Sequence, residues 1–114
     1  MTTGLIITAL GLGLMATAAS AARLIEDRTD AVAYVDETFA ANACHFNHAA
    51  FMARMVDDGV APGVDDMAQP MIGTDKIIRQ RRILAAIEEL FQQGALVEDP
   101  KDPTNAISKF GGCA

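Results

Sequence analysis

The sequence has few of the residues that carry chemistry. Its 114 residues include no Trp, one Tyr, two Cys and two His. The length and the 51% apolar content rule out a two-domain enzyme, a polytopic transporter, a repeat array and a disordered acidic tail. One small domain remains, with a net charge of −6 from 9 basic and 15 acidic side chains.

The motifs of common enzyme and cofactor classes are also missing. There is no C-x-x-C-H motif for haem attachment, no Gly-rich phosphate loop and no calcium-loop spacing. Outside the first 22 residues Ser108 is the one serine, and no His is near it in sequence. Cys44 stands beside His45, but adjacent side chains usually diverge, which argues against an activated thiolate. We therefore expect no catalytic residues and no cofactor.

The first 22 residues carry no charged side chain. Residues 5–16 form an apolar run that suits the central region of a signal peptide and is shorter than the ~20 residues of a transmembrane helix. Small residues then give cleavage patterns of the A-x-A type after Ala18 and after Ala21. The sequence thus predicts a signal peptide over residues 1–21 and a periplasmic or secreted domain over residues 22–114, although no Lys or Arg opens the segment.

A retained membrane anchor is the alternative for this segment. Extended to Ala22, the run is long enough to span a bilayer, although its three Gly and four Thr weaken insertion. Arg23 and Arg28 would then favour keeping the globular part in the cytoplasm.

Three amphipathic helices are predicted in the rest of the chain. Residues 24–43 carry an apolar stripe with helical spacing, formed by Ile25, Val32, Val35 and Phe39. Asn47 stands as the N-cap of a short second helix over residues 48–58, which Gly59 ends. Residues 59–73 hold two Pro and three Gly and predict an irregular connection. The third helix begins after a cap at Thr74 or Asp75 and ends at Gly94.

The spacing of apolar residues is no longer helical after Gly94. Residues 95–98 and 106–110 are short β-prone runs, and the Pro- and Asp-rich residues 99–105 between them predict a loose hairpin. The fold class is therefore mainly α: three amphipathic helices followed by a C-terminal β-hairpin, after an N-terminal apolar segment. This order of elements over residues 24–110 resembles a winged-helix domain. The 15-residue connection departs from the short turn of a helix-turn-helix unit.

The two cysteines predict a disulfide in an oxidising compartment. Cys113 is reached through Gly111 and Gly112, which can bend in almost any direction, and a bond to Cys44 would tie the tail back to the first helix. The alternatives are two reduced thiols in a cytoplasmic protein and an intermolecular bond through Cys113.

Cys44, His45 and His48 form the sequence's one cluster of metal-capable residues. Structural zinc needs four protein ligands and catalytic zinc three, so acidic residues from elsewhere would have to complete a site. Because the second helix begins only after Asn47, Cys44 and His48 do not lie on one helix, which spoils the geometry of a metal site. We therefore favour no metal and keep a small metal-binding protein as an alternative.

Four of the nine basic residues lie within seven positions: Lys76, Arg79, Arg81 and Arg82. Cations in the first half of a helix are disfavoured by the helix dipole, so they need compensating partners. In the winged-helix resemblance this helix would enter the DNA major groove, which would make the four residues phosphate contacts. The acidic residues just before the helix are the competing partners, and the acidic total charge favours them.

These observations predict an exported, non-enzymatic helical domain that acts through contacts with an unidentified protein partner. A membrane-anchored or cytoplasmic winged-helix regulator that binds DNA is the first alternative. Contact with a membrane would depend on residues 1–22.

Overall fold

A computed structural model describes residues 24–114, apart from the side chains of Met67, Pro70, Met71 and Ile72. The predicted signal peptide or anchor lies outside the described residues. From residue 24 onward, no helix has both the length and the apolarity that crossing a bilayer requires.

The described part of the chain forms three α-helices and one three-stranded antiparallel sheet. Its elements in chain order are α1 (Arg28–Ala40), β1 (His45–Asn47), α2 (His48–Asp57), a 3-10 helix (Asp65–Ala68), α3 (Pro70–Gln92), β2 (Leu96–Asp99), β3 (Asp102–Ser108) and a second 3-10 helix (Gly111–Cys113). The sheet order is β1-β3-β2, with the last strand in the centre. The mainly helical class is confirmed, and the sheet has one strand more than the predicted hairpin.

Helix α1 is shorter at both ends than the predicted residues 24–43. Asp27 is its N-cap and accepts a hydrogen bond from the Asp30 amide at 2.9 Å, while Asp30 accepts one from the Glu26 amide at 3.0 Å. These reciprocal bonds satisfy amides that have no partner within the helix, so the helix begins at Arg28. At the other end Ala43 and Cys44 have positive φ angles, 58° and 67°, which no α-helix can contain.

Helix α2 confirms the predicted cap. The Asn47 side-chain oxygen accepts hydrogen bonds from the amides of Ala49, at 3.0 Å, and Ala50, at 3.3 Å. Gly59 follows the helix with φ of 74°, a left-handed conformation that favours glycine. The helix ends at Asp57, one residue before its predicted end.

Helix α3 begins at Pro70, so the predicted start at Thr74 or Asp75 is wrong. Proline is disfavoured inside a helix but suits its first position, where no amide hydrogen is needed and φ is already helical. The irregular connection is correspondingly shorter and contains the 3-10 helix Asp65–Ala68. The predicted end is confirmed, because Gly94 follows the helix with φ of 76°.

Strand β1 was not predicted, β2 is shifted by one residue from its predicted position, and β3 is longer than expected. β1 pairs with β3 in the register His45↔Ile107, so the break after α1 is a strand. The turn shrinks to Pro100 and Lys101 because β3 begins at Asp102. Pro103 is tolerated in β3 because it lies beyond the residues that pair with β1 and next to an irregularity in the pairing with β2.

The core lies between the helices and the sheet. Its largest fully buried side chains are Ile25, Met55, Ile83, Leu96, Val35 and Val60. Met55 is part of this core and Met52 packs against it half-buried, so the methionines of α2 fill space inside the domain. Helix α1 packs mainly against α3.

A disulfide joins Cys44 to Cys113, with 5.6 Å between their Cα atoms, consistent with the sequence prediction. The tail is also held by a hydrogen bond of 2.9 Å from the Gly112 amide to Asp36 Oδ1 of α1. A Cβ atom at Gly111 would collide with the Asp36 carboxylate, and Gly111 has φ of 54°. Glycine is therefore favoured where the tail crosses α1.

Candidate functional site

An open cleft lies between one face of the sheet and helices α2 and α3. Its volume is about 230 Å³. We call it the aromatic cleft; it is lined by Phe39, Phe46, His48, Phe51, Ile87, Phe91, Leu96, Glu98, Pro103, Thr104, Asn105 and Ala106.

Three phenylalanine rings form the floor of the aromatic cleft. Phe39 comes from the end of α1, Phe46 from β1 and Phe51 from α2, and all three are buried. Their ring centroids lie 5.4 to 5.8 Å apart, and two of the three pairs are edge-to-face. Aromatic pairs of this geometry stabilise each other by about 0.5–1.5 kcal/mol beyond area burial, so the three rings support one another in the floor of the cleft.

The position of Phe46 follows from the alternation of side chains in a strand. His45 and Asn47 point to the other face of β1, and Phe46 is the inward residue of the three. In the register of the sheet Phe46 is opposite Ala106, which in turn is opposite Glu98. These three residues therefore lie side by side on one face of the sheet and form one wall of the cleft.

The rim of the cleft is polar except for Phe91 and Pro103. Phe91 on the last turns of α3 is 38% exposed, and His48 and Glu98 are also exposed. Asn47 Nδ2 donates a hydrogen bond to Thr104 Oγ1 at 3.1 Å, which ties the start of α2 to the hairpin. This hydrogen bond therefore links the two sides of the rim, the start of α2 and the hairpin.

Asp102 fixes the hairpin side of the rim. Its Oδ1 accepts hydrogen bonds from Thr104 Oγ1 at 2.6 Å and from the Thr104 amide at 3.0 Å, and its Oδ2 accepts one from Asn105 Nδ2 at 3.3 Å. The two bonds from Thr104 hold the pKa of Asp102 below its usual range. Its carboxylate is therefore charged at neutral pH, next to two residues that line the cleft.

The chemistry of this lining suits binding of an apolar group. A volume of about 230 Å³ lies below the ~300–1,000 Å³ of typical drug-sized ligand pockets and suits one or two apolar side chains. Aromatic walls with a polar rim are typical of the buried centre of a protein interface.

The predicted phosphate-contact residues have partners inside the domain. Lys76 Nζ pairs with Asp66 at 3.1 Å, Arg79 Nη1 donates to the Gly59 carbonyl at 3.2 Å, and Arg82 Nη1 donates to the Ile25 carbonyl at 2.7 Å. Hydrogen bonds from Gly63 and Lys76 lower the pKa of Asp66.

Arg81, the fourth residue of this group, is exposed. The expected pairing with preceding acidic residues is thus present for Lys76, whereas Arg79 and Arg82 bond to backbone carbonyls.

The candidate metal ligands do not form a site. Cys44 is bonded to Cys113, and His45 and His48 are exposed on β1 and at the start of α2. Across residues 24–114 no three His, Cys, Asp or Glu side chains are placed to hold a metal ion. Ser108 is 3% exposed, and its hydroxyl has no hydrogen-bond partner in the described part of the chain.

Comparison with protein-family models, curated proteins and solved structures finds no match to this chain. The aromatic cleft itself was missed at the level of sequence. Phe39 belongs to the predicted apolar stripe of the first helix, but Phe46 lies between the first two predicted helices, where no element is predicted. Its flanking polar residues, His45 and Asn47, were the one signal for a strand.

Proposed function

We propose that the domain is a non-enzymatic binding module that holds an apolar side chain of a partner protein in the aromatic cleft. The observation that carries the proposal is an open cleft with a floor of buried, mutually packed phenylalanine rings and the exposed ring of Phe91 at its rim. A few buried aromatic contacts supply most of the energy of a typical protein interface.

The disulfide supports an oxidising compartment for this function. Structural disulfides persist outside the cytosol, and the uncharged segment of residues 1–22 has the pattern of a signal peptide. We therefore place the domain in the periplasm or outside the cell, with a membrane-anchored form as the alternative.

Intact-mass measurement of the native protein tests this location. We expect a mass that lacks residues 1–18 or 1–21 and no alkylation until a reductant is added. A mass that retains Met1, together with two thiols that react without reductant, would contradict both export cleavage and the disulfide.

Binding to the cleft is tested by NMR titration of the oxidised chain with a capped peptide that has a central Phe between Gln residues. We expect shifts of the amides of Phe51, Phe91 and Ala106. Phe91→Ala should weaken binding, since truncating one of the few residues that dominate an interface costs more than about 1 kcal/mol. Leu84→Ala is the matched control, because Leu84 is also on α3, is 37% exposed and does not line the cleft. Equal effects of the two substitutions, or shifts spread over the surface, would refute the proposal.

The DNA-binding regulator is supported less well. Three of its four candidate residues bond within the domain, and Arg81 is the exposed residue for which no such bond is seen in the described part of the chain. If this alternative holds, Arg81→Glu should weaken binding to duplex DNA at low salt, and unchanged binding would end it.

A further inference from the structure

We infer that the partner segment in the aromatic cleft is cationic: a bulky apolar side chain with Lys or Arg next to it. The inference rests on the proposed function and specifies the chemistry of the partner at the same site. It is carried by the charges around the opening of the cleft.

The hairpin side of the cleft is acidic. Glu98 lines the cleft and is exposed. Asp99 and Asp102 are opposite each other in the register of β2 and β3, and Asp102 is bonded to Thr104 and Asn105 of the rim. The hairpin of β2 and β3 thus carries three carboxylates against one cation, Lys101 at its turn, and no Lys or Arg among residues 24–114 lines the cleft.

Charge also argues against three other possible occupants of the cleft: a second copy of this chain, a nucleic acid and the chain's own residues 1–22. A second copy of this chain would bring another net charge of −6 to an acidic rim, and a nucleic acid would bring phosphates. The chain's own apolar segment, residues 1–22, has no charged side chain to complement the rim. A cationic segment of another protein is the occupant that both the apolar floor and the acidic rim attract.

The size of the effect follows from the exposure of these carboxylates. An exposed ion pair strengthens an association about 1.5- to 5-fold, and salt weakens it. With Glu98 and Asp102 each facing one flanking cation, we expect roughly tenfold tighter binding of a cationic segment than of a neutral one.

Three capped peptides with one central Phe test the inference on the oxidised full chain. Their flanking residues are Lys, Gln or Glu, and dissociation constants are measured by NMR at about 0.02 M and about 0.5 M salt. We expect the Lys peptide to bind most tightly and the Glu peptide most weakly, with the difference largely lost at high salt. Equal affinities of the Lys and Gln peptides at low salt would overturn the inference and leave the proposed function standing. If none of the three peptides shifts the cleft resonances, the proposed function fails as well.

A matched pair of variants locates the charge effect. Glu98→Gln should reduce the preference for the Lys peptide over the Gln peptide by about 1.5- to 5-fold, the effect of one exposed ion pair. Glu26→Gln removes the same charge from an exposed residue that does not line the aromatic cleft, and it should leave the preference unchanged. Equal losses in the two variants would mean that the total charge, rather than the rim, attracts the peptide, and would overturn the inference.

Two further measurements test whether charge alone, or a second copy of this chain, explains binding at the cleft. A Lys-flanked peptide with Gly at its centre should bind much more weakly than the Phe peptide, and equal binding would show attraction by charge alone and overturn the inference. We expect sedimentation of the oxidised chain to show no dimer that depends on Phe91. A dimer that disappears in the Phe91→Ala variant would identify a second copy as the occupant and would also overturn the inference.

Discussion

Removing the disulfide with the double substitution Cys44→Ala/Cys113→Ala should greatly destabilise the domain. The bond joins residues separated by 69 positions, and closing a loop of that length stabilises the folded state by about 4 kcal/mol in the chain-entropy description. The Cα atoms are 5.6 Å apart, within the ordinary range, so the native backbone accommodates the bond. Against a typical total of ~5–15 kcal/mol, the expected loss is a large fraction of the free energy of unfolding.

Urea unfolding followed by far-UV circular dichroism measures this loss. The chain-entropy description also predicts a second change: without the bond the unfolded chain is more expanded, so the denaturant dependence of the free energy should become steeper. The parent protein in excess reductant is the control, and it should behave like the double variant. A loss below about 1 kcal/mol with unchanged denaturant dependence would refute the entropic reasoning.

Three other substitutions test individual contacts. Burial and the 2.7 Å hydrogen bond to Asp58 raise the pKa of Tyr34, so stability from the protonated phenol is present below pH ~10 and lost as the pH rises further. Since the chain has one Tyr, phenolate absorbance should not rise near pH 10 while the domain is folded, and Tyr34→Phe should remove the alkaline loss of stability. Gly111→Ala should destabilise the domain by about 1 kcal/mol more than Gly94→Ala. Both glycines have positive φ, but a Cβ at Gly111 would collide with the Asp36 carboxylate, whereas a Cβ at Gly94 would meet open space. Equal losses of stability would contradict this. Asn47→Ala should cost about 1 kcal/mol in a melting experiment through loss of the α2 cap, and an unchanged melting temperature would refute that role.

Local signals decided which helix ends could be predicted. Asn47 and Gly59 act through their own side chain or backbone, so the cap and the end of α2 were readable from sequence. The predicted start of α3 is wrong because proline disrupts a helix interior, which favours a loop around Pro70, whereas proline at the first helical position is compatible with a helix.

Tertiary pairing decided what could not be predicted. Strand β1 has three residues and owes its conformation to pairing with β3, far along the chain, so its polar–apolar alternation is too short to predict a strand by itself. The cleft joins residues from all three helices and all three strands in the described range, and its floor depends on Phe46. The disulfide was predictable in principle because the chain has two cysteines and one intramolecular pairing.

The sheet order β1-β3-β2 also dictates when the domain can fold. The hairpin of β2 and β3 is local, but β1 and Cys44 find their partners only across nearly the whole domain, 69 positions for the cysteines. Contacts of such long range form slowly, and during synthesis they must wait for β3. The rings of Phe39, Phe46 and Phe51 thus stay uncovered while the chain grows. The domain can complete its folding only once β3 and Cys113 have been synthesised, and until then its aromatic residues are exposed to aggregation.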